Sequence, residues 1–441
     1  MSNNDGGFSR AVANSASRGR KVLDIAPRDA ENTGMRLAIV MAAALGLGGC
    51  LLELPGPGAD GESDGPDLAH IDLEGAPQDE PQEAPPTAPA VESPGEPADV
   101  PDQHLEVAVE GAPELSGRFW AWDTVCLPPG GAATIKSLRP GYELALADPG
   151  AWTGAGGKAE PSGGDVLALK VPQKPGGMYR LEMRGAKRVA FWLCVLTEAA
   201  ATRDRRPGTW RLKIGRETLG TYADPAASAS RLVREHKDLY APPRHFLRID
   251  GSTERLQLAP HLLAGQMVSF IEVDGRKTKR RHTAWFPPNR PLIEKLERLS
   301  RELAAGGVRF KRLTINSGFR SPVYNARIGG SGYSRHMFGD AADVMVDQDG
   351  NDRMDDLNRD GVCDHRDALV VAQALRKLEL AGSVRPGGIG VYGYDTAESC
   401  AAFVHVDARG FVTRWGSDYR RGRSLALNWW PPEEFKEDES D

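Results

Sequence analysis

Between Leu51 and Ala112 the chain has no lysine, no arginine and no aromatic residue, while sixteen acidic residues and eleven prolines crowd the same stretch. A segment with so little apolar surface cannot offset its chain entropy, which excludes a packed core there. Residues 51–112 are therefore expected to form a disordered, acidic, Pro-rich tether, on the order of 50 Å as a coil and at most roughly 190 Å if extended. Its lack of positive charge masks a basic remainder. The chain totals −6 at pH 7, yet residues 113–441 carry 49 Lys and Arg against 41 Asp and Glu. A basic body suits an anionic partner, although modest basicity also serves solubility alone.

Long apolar runs are equally scarce. The main one lies in MRLAIVMAAALGLGGC, Met35 to Cys50, and its length of about a dozen residues is too short to span a bilayer as a mature helix. It reads as a secretory signal. Its end, Leu47-Gly48-Gly49-Cys50, resembles a bacterial lipobox, which implies that residues 1–50 are an amino-terminal extension and lipoprotein signal peptide. By that resemblance Cys50 is acylated and holds the protein at a membrane of the cell envelope, on the periplasmic side. Leu51 after the Cys favours the outer membrane over the inner. An ordinary signal peptide with an incidental Cys is the other reading.

Cysteine is sparse, at five in 441 residues. With Cys50 set aside, an even number remains, and in an exported chain the expected bonds lie within a domain, Cys126 with Cys194 and Cys363 with Cys400. Four buried free thiols are the alternative.

Across residues 113–200 the runs RFWAWDTVCL, YELALA, DVLALKV, YRLEMR and RVAFWLCVL alternate between Gly/Pro turns, which predicts a small all-β domain. It holds no catalytic cluster. Trp120, Trp122 and Trp192 read as core aromatics rather than a sugar-binding platform. A hairpin at 208–222 opens a connecting region, 201–282, whose basic run at 275–282 reads as a solvated hairpin tip. Beyond it, Leu292, Leu296, Leu299 and Leu303 mark one face of a helix stopped by Gly306-Gly307. A strand at 312–315, a helix from Asp367 to Ala381 and the strands IGVY (389–392), FVHVD (403–407) and FVTRW (411–415) come next. This order describes an α+β domain over 283–420, with a tail at 421–441.

Zinc hydrolases hold their metal with three protein ligands and leave a fourth position for water. The α+β segment offers His336, His365 and His405. In FVHVD, strand alternation sends Phe403, His405 and Asp407 to one face and Val404 and Val406 to the core. Asp343 similarly interrupts the apolar strand AADVMV. Polar groups on such strands cost free energy unless they are satisfied, so His336, Asp343 and His405 form a candidate two-His, one-carboxylate set. From spacing alone, a satisfied structural His–Asp pair explains them equally well.

The string Ser334-x-His336-x-x-Gly339-x-Ala341-x-Asp343, preceded by Ser317-Gly318-Phe319-Arg320-Ser321 and followed by Phe403-Val404-His405-Val406-Asp407, resembles the zinc D-alanyl-D-alanine carboxypeptidase and murein endopeptidase family. That family includes the vancomycin-resistance dipeptidases and, distantly, the Hedgehog amino-terminal domain. The resemblance covers about Pro288 to Trp415. It implies a Hedgehog-like zinc peptidase fold, with His336, Asp343 and His405 as zinc ligands. Arg320 would bind substrate or the developing oxyanion, a task its guanidinium fork suits; a surface salt bridge is its plainer role. One departure stands out. Many members carry Glu or Asp three residues before the last ligand as general base, and here that position is Ala402. The His-x-Asp form is similar to the endopeptidase-like branch, and Asp407 becomes the first choice for the base, with a ligand-orienting role as its alternative. Asp395 and Glu398 are the reserves.

After Asp343 the text turns acidic. Asp356, Asn358, Asp360, Val362, Asp364 and Asp367 fall at positions 1, 3, 5, 7, 9 and 12 of a calcium-loop pattern, with Gly361 at the sharp turn. An acidic solvated insertion is the bland reading. Asp347, Asp349, Asn351 and Asp355 form a looser set before it.

The expected function is zinc-dependent hydrolysis of peptide bonds in peptidoglycan stem peptides or cross-links by a lipid-anchored envelope protein. Zn2+ is the cofactor, Ca2+ a structural ion, and the partners are peptide stems and membrane. The rival is a non-catalytic peptidoglycan-binding protein on a degenerate zinc peptidase fold. No nucleic-acid-binding motif is present, and export argues against that class.

Overall fold

The computed structural model describes residues 103–161, 163–204, 208–273, 276–393, 402–418 and 423–424. The signal segment with Cys50, the tether up to residue 102, Asp395, Glu398, Cys400 and the end of the chain lie outside these residues.

The last residues of the expected tether are ordered. Leu105–Val109 is a strand that pairs with both Gly117–Phe119 and Ala132–Ser137. Its residues LEVAV alternate buried and exposed, so the apolar alternation that makes a half-buried strand begins before residue 113. This strand belongs to a five-stranded sheet completed by Val166–Lys170 and Lys158–Pro161. A second, four-stranded sheet is built from Thr124–Leu127, Val189–Val195, Met178–Arg184 and Glu143–Leu146. Trp120 is buried as expected, but Trp122 is 38% exposed at φ 71° and Trp192 is half-buried.

Cys126 and Cys194 are register partners on adjacent parallel strands, and both are buried thiols. The expected bond is absent there, and no disulfide is present among the described residues. The Cys363 thiol donates to the Met354 carbonyl.

The remaining chain builds the sheet that carries the candidate site. Helix α1 (Arg290–Ala305) is capped by Asn289 and buries Leu292, Leu296, Leu299 and Leu303 as the spacing predicted. Its first residue ties it to the amino-terminal sheets. Arg290 is 3% exposed, sits over the Phe119 ring at 3.9 Å and pairs with buried Asp123 at 3.2 Å. Next come strand β1 (Thr314–Ser317), short helix α2 (Pro322–Arg327), β2 (Ala341–Met345), helix α3 (His365–Leu380), β3 (Gly388–Gly393), β4 (Phe403–Asp407), β5 (Thr413–Asp418) and β6 (Arg423–Ser424). They form one sheet in the order β1-β2-β4-β3-β5-β6. Helix α3 packs on β3 and β4 and also meets α1. Val391, Val404 and Val406, fully buried, lie on the helix side; His405 and Asp407 alternate with them onto the other face. Among the described residues no helix is long and apolar enough to cross a membrane.

The connecting region is part of this architecture rather than a spacer. The hairpin Trp210–Ile214 and Glu217–Tyr222 packs on α2, and the Tyr222 hydroxyl donates to the Met337 carbonyl at 2.7 Å.

The calcium set is not assembled as the loop pattern predicted. Asp364 and Asp367 are buried and spent on the start of α3: Asp367 accepts from the backbone N–H groups of Leu357, Asn358 and Asp364, and Asp364 caps that of Arg366. Asp356, Asn358 and Asp360 close local turns onto the N–H groups of Asp360, Gly361 and Val362. Acidic groups whose oxygens do gather within 4.8 Å lie earlier, at Asp347, Asp349 and Asp355.

Candidate metal centre

His336 is set by a single turn that the motif's small residues make possible. Arg335–Phe338 forms a 3-10 turn ended by Gly339 at φ 75°, a left-handed conformation that favours glycine. A Cβ there would also crowd Pro287. Ala341 and Ala342 then enter β2 fully packed. Beside the turn, Arg335 is buried in a two-pronged pair with Asp340 and lies over the Tyr240 and Phe338 rings.

The sheet register does the rest. Asp343 on β2 stands directly opposite His405 on β4, and Ser317 on β1 opposite Asp343. The structure thus brings together the three sequence-predicted ligands, all buried, with one ligand atom of each inside 4.8 Å. His336 Nε2 lies 3.2 Å from Asp343 Oδ1 and 3.2 Å from His405 Nδ1, which is 3.0 Å from the same carboxylate oxygen.

The outer partners decide which nitrogens carry protons. His336 Nδ1 is 2.8 Å from the Gly318 carbonyl, which can only accept, so Nδ1 bears the hydrogen and Nε2 presents a lone pair. His405 Nε2 is 3.1 Å from Asp407 Oδ2, which by the same reasoning leaves Nδ1 as the lone pair in the neutral ring. Two lone pairs and one anionic oxygen therefore converge with no donor between them. Burial pushes His336 below the usual histidine range, reinforced by Arg320. For His405 burial acts the same way, but Asp343 and Asp407 outweigh it and raise the imidazole. Burial alone would raise Asp343, yet His336, His405 and Arg320 hold it well below the usual carboxylate range. Such a set suits a cation of borderline softness.

Arg320 faces this cluster. Its Nη2 donates to Asp343 Oδ2 and its Nε to Ser317 Oγ, each at 2.7 Å. It is therefore not a loop arginine in a surface pair. The residue after it, Ser321, is held by His282, whose Nε2 accepts the Ser321 N–H at 2.9 Å while Nδ1 meets the Ser269 carbonyl at 2.9 Å.

Asp407 does not have the surroundings of a general base. It is fully buried; Gly388 N–H, Arg409 and His405 all engage its oxygens. Burial would raise it, but Arg409 and His405 hold it well below the ordinary range. Such saturation suits a group that orients His405 better than one that takes a proton from the cleft. Behind it, fully buried Lys295 donates to the Asp407 carbonyl at 2.8 Å. Ala402 is buried and brings no polar group.

Arg409, Ser317, His282 and Trp415 were missed from sequence. Arg409 had no readable signal, because it lies in the bend beyond the end of β4, where strand alternation no longer applies. His282 had none, because its partners are backbone groups distant in the chain.

No curated protein matches the chain. Two solved structures share weak similarity. One is an L,D-transpeptidase in complex with imipenem, at 10% identity over 28% of this chain and 53% of that one, with a TM-score of 0.15. The other is an L,D-transpeptidase from Mycobacterium smegmatis, at 15% identity over 33% and 61%, with a TM-score of 0.14. The chain thus spans little more than half the length of each, and such scores carry no argument about fold. A family model described as Peptidase M15 matches residues 272–377. Arg320, His336 and Asp343 lie inside that match and His405 on the strand beyond it, so this region of the chain is similar to the peptidase M15 family.

Proposed function

We propose that the protein is a zinc-dependent peptidase that hydrolyses peptide bonds of peptidoglycan stem peptides or cross-links, acting as a carboxypeptidase or endopeptidase on D,D or L,D bonds. The observation that carries this reading is the convergence of His336 Nε2, Asp343 Oδ1 and His405 Nδ1, with outer acceptors that hold each neutral imidazole's proton on its far nitrogen. These residues would hold the metal, which when bound supplies Lewis-acid polarisation of the scissile carbonyl and a nucleophile at neutral pH. Gly318 and Asp407 fix the two imidazoles. Arg320 steers Asp343 and offers its guanidinium to the substrate's carboxylate or oxyanion. The six-stranded sheet with its site on the face away from α3 supports a D-Ala-D-Ala-carboxypeptidase or Hedgehog-like fold for this region. The two amino-terminal sheets would form a small domain before it.

Peptidoglycan as substrate rests on the peptidase M15 region, the basic body and the lipoprotein-like signal. In this reading Cys50 anchors the protein in the envelope, outer membrane before inner, and the tether lets the enzyme reach the wall. With Asp407 occupied, the general base falls to Asp395 or Glu398. The rival, a non-catalytic peptidoglycan-binding protein, is favoured by Ala402 standing where a base is expected.

The test is mass spectrometry of purified cross-linked and monomeric muropeptides incubated with the zinc-loaded full chain, with His405→Ala as control. Zinc-dependent products establish the peptidase, and the mass lost names the bond. Binding without products from any substrate establishes the rival.

A further inference from the structure

The face of the sheet that carries His405 and Asp407 has a gap beside them, and an indole fills it. On β3 the positions next to His405 are glycines: Gly390 is its register partner, and Gly388 donates to Asp407. Across β3, Trp415 on β5 is register partner to Gly390, so its side chain shares this face. A Cβ on Gly390 would overlap the Trp415 ring, and one on Gly388 would overlap Asp407 and press on the same indole. Both glycines are thus needed for the indole to lie flat across β3, where its ring comes within 5.2 Å of the His405 ring.

From there the indole N–H has one direction. Trp415 Nε1 donates to Tyr392 Oη at 2.7 Å. Tyr392 is on the same face, two residues beyond Gly390, and its ring stacks on Phe403 at 4.7 Å, 15° from parallel. Tyr392, Phe403 and Trp415 are all half-buried, in contrast to the buried ligand set they border. They form an aromatic wall at the margin of the candidate centre. The charges of Asp343 and Arg320 act on the phenol, which places it in the field of the same site. Because Oη accepts from the indole, its own proton points away from Trp415, and burial pushes the phenol up to about 12, so it remains a donor at any physiological pH.

We propose that Tyr392 is a catalytic residue that donates a hydrogen bond to the scissile peptide's carbonyl oxygen, with Trp415 as the positioning residue that aims its hydroxyl. This rests on the peptidase reading and adds a neutral donor to the guanidinium of Arg320. A neutral donor fixed by a neighbouring N–H stabilises charge that develops on the carbonyl without reorganising during the reaction. No proton is transferred from Tyr392; the bond strengthens as charge grows.

The experiment compares the zinc-loaded full chain with Tyr392→Phe and Trp415→Phe. Four quantities are read: zinc content, thermal midpoint, cleavage of a muropeptide, and calorimetric affinity for a phosphinate analogue of its peptide, which mimics the tetrahedral geometry. Tyr392→Phe keeps the Phe403 stacking, so zinc content and thermal midpoint should stay at wild-type levels. Its kcat should fall about 100-fold with little change in KM, and phosphinate affinity should fall by a similar factor. Trp415→Phe should lose part of the same effect, since the hydroxyl remains but is no longer aimed. If wild type cleaves and Tyr392→Phe cleaves and binds phosphinate equally well, the tyrosine assignment is overturned and the peptidase stands. If wild type neither cleaves nor binds phosphinate, the peptidase reading fails and takes the tyrosine with it.

Discussion

His336 Nε2 faces His405 Nδ1 at 3.2 Å, and neither has a proton to offer in its neutral form, because Gly318 and Asp407 hold the hydrogens on the far sides of the rings. The pair, with Asp343, turns three acceptor atoms toward one another, the arrangement a cation would need. Asp343→Asn replaces the shared oxygen's charge with an amide whose N–H can serve those lone pairs. We expect this variant to keep its metal-free thermal midpoint within a few degrees while losing the zinc-induced rise. For wild type that rise reflects about 2.7 kcal/mol when zinc is present at 100 times its dissociation constant. Differential scanning calorimetry with and without zinc checks both halves.

Asp407 gives a second test, because a base and an orienting group fail differently. Asp407→Asn should lower zinc affinity roughly 10- to 100-fold, as loss of a hydrogen-bonded outer partner does. It should also destabilise the fold, since Arg409 loses its carboxylate. A competition titration with a chelating dye reads the affinity. Unchanged zinc affinity with abolished hydrolysis would restore Asp407 as the base.

The glycine at 390 predicts a steric coupling. Gly390→Ala should cost about 1–3 kcal/mol by overpacking against the Trp415 indole, measured by urea unfolding. Adding Trp415→Val should recover part of that loss; simple additivity of the two would show that the contact does not matter.

His282 predicts a pH dependence. Burial holds its imidazole down at about 4, with Arg320 adding to this and the Ser269 bond opposing it, whereas in the unfolded chain it titrates near 6.5. The folded value is the lower one, so the contribution is intact above 6.5 and is lost as pH falls toward 4. The full loss is roughly 3 kcal/mol. Urea unfolding at pH 7.5, 5.5 and 4.5 should show a steeper acid loss for wild type than for His282→Gln; parallel profiles would remove His282 as a source of the acid sensitivity.

The grouping of His336, Asp343 and His405 was legible because strand alternation and motif spacing both act locally. FVHVD folds as β4 over the five residues expected, with its polar side chains on one face. The helix at Arg290–Ala305 was equally plain from its leucines. What sequence did not disclose depends on distant neighbours. Asp407 read equally as base or as a group orienting His405, and only the contacts of Arg409, Gly388 and His405 separate the two. Asp364 and Asp367 matched calcium positions, but the helix start took their oxygens. Leu105–Val109 was read as tether because the acidic composition around it outweighed a five-residue alternation. Cys126 and Cys194 were expected to form a disulfide, but they stand as free thiols on adjacent parallel strands.

The most direct test of a zinc centre at His336, Asp343 and His405 is calorimetric titration of zinc into the metal-free full chain, beside His405→Ala. We expect one tight equivalent for wild type and at least a 100-fold weaker site in the variant, as when a first-row metal loses one of three protein ligands. Absence of saturable binding by wild type, or equal binding by His405→Ala, would contradict it.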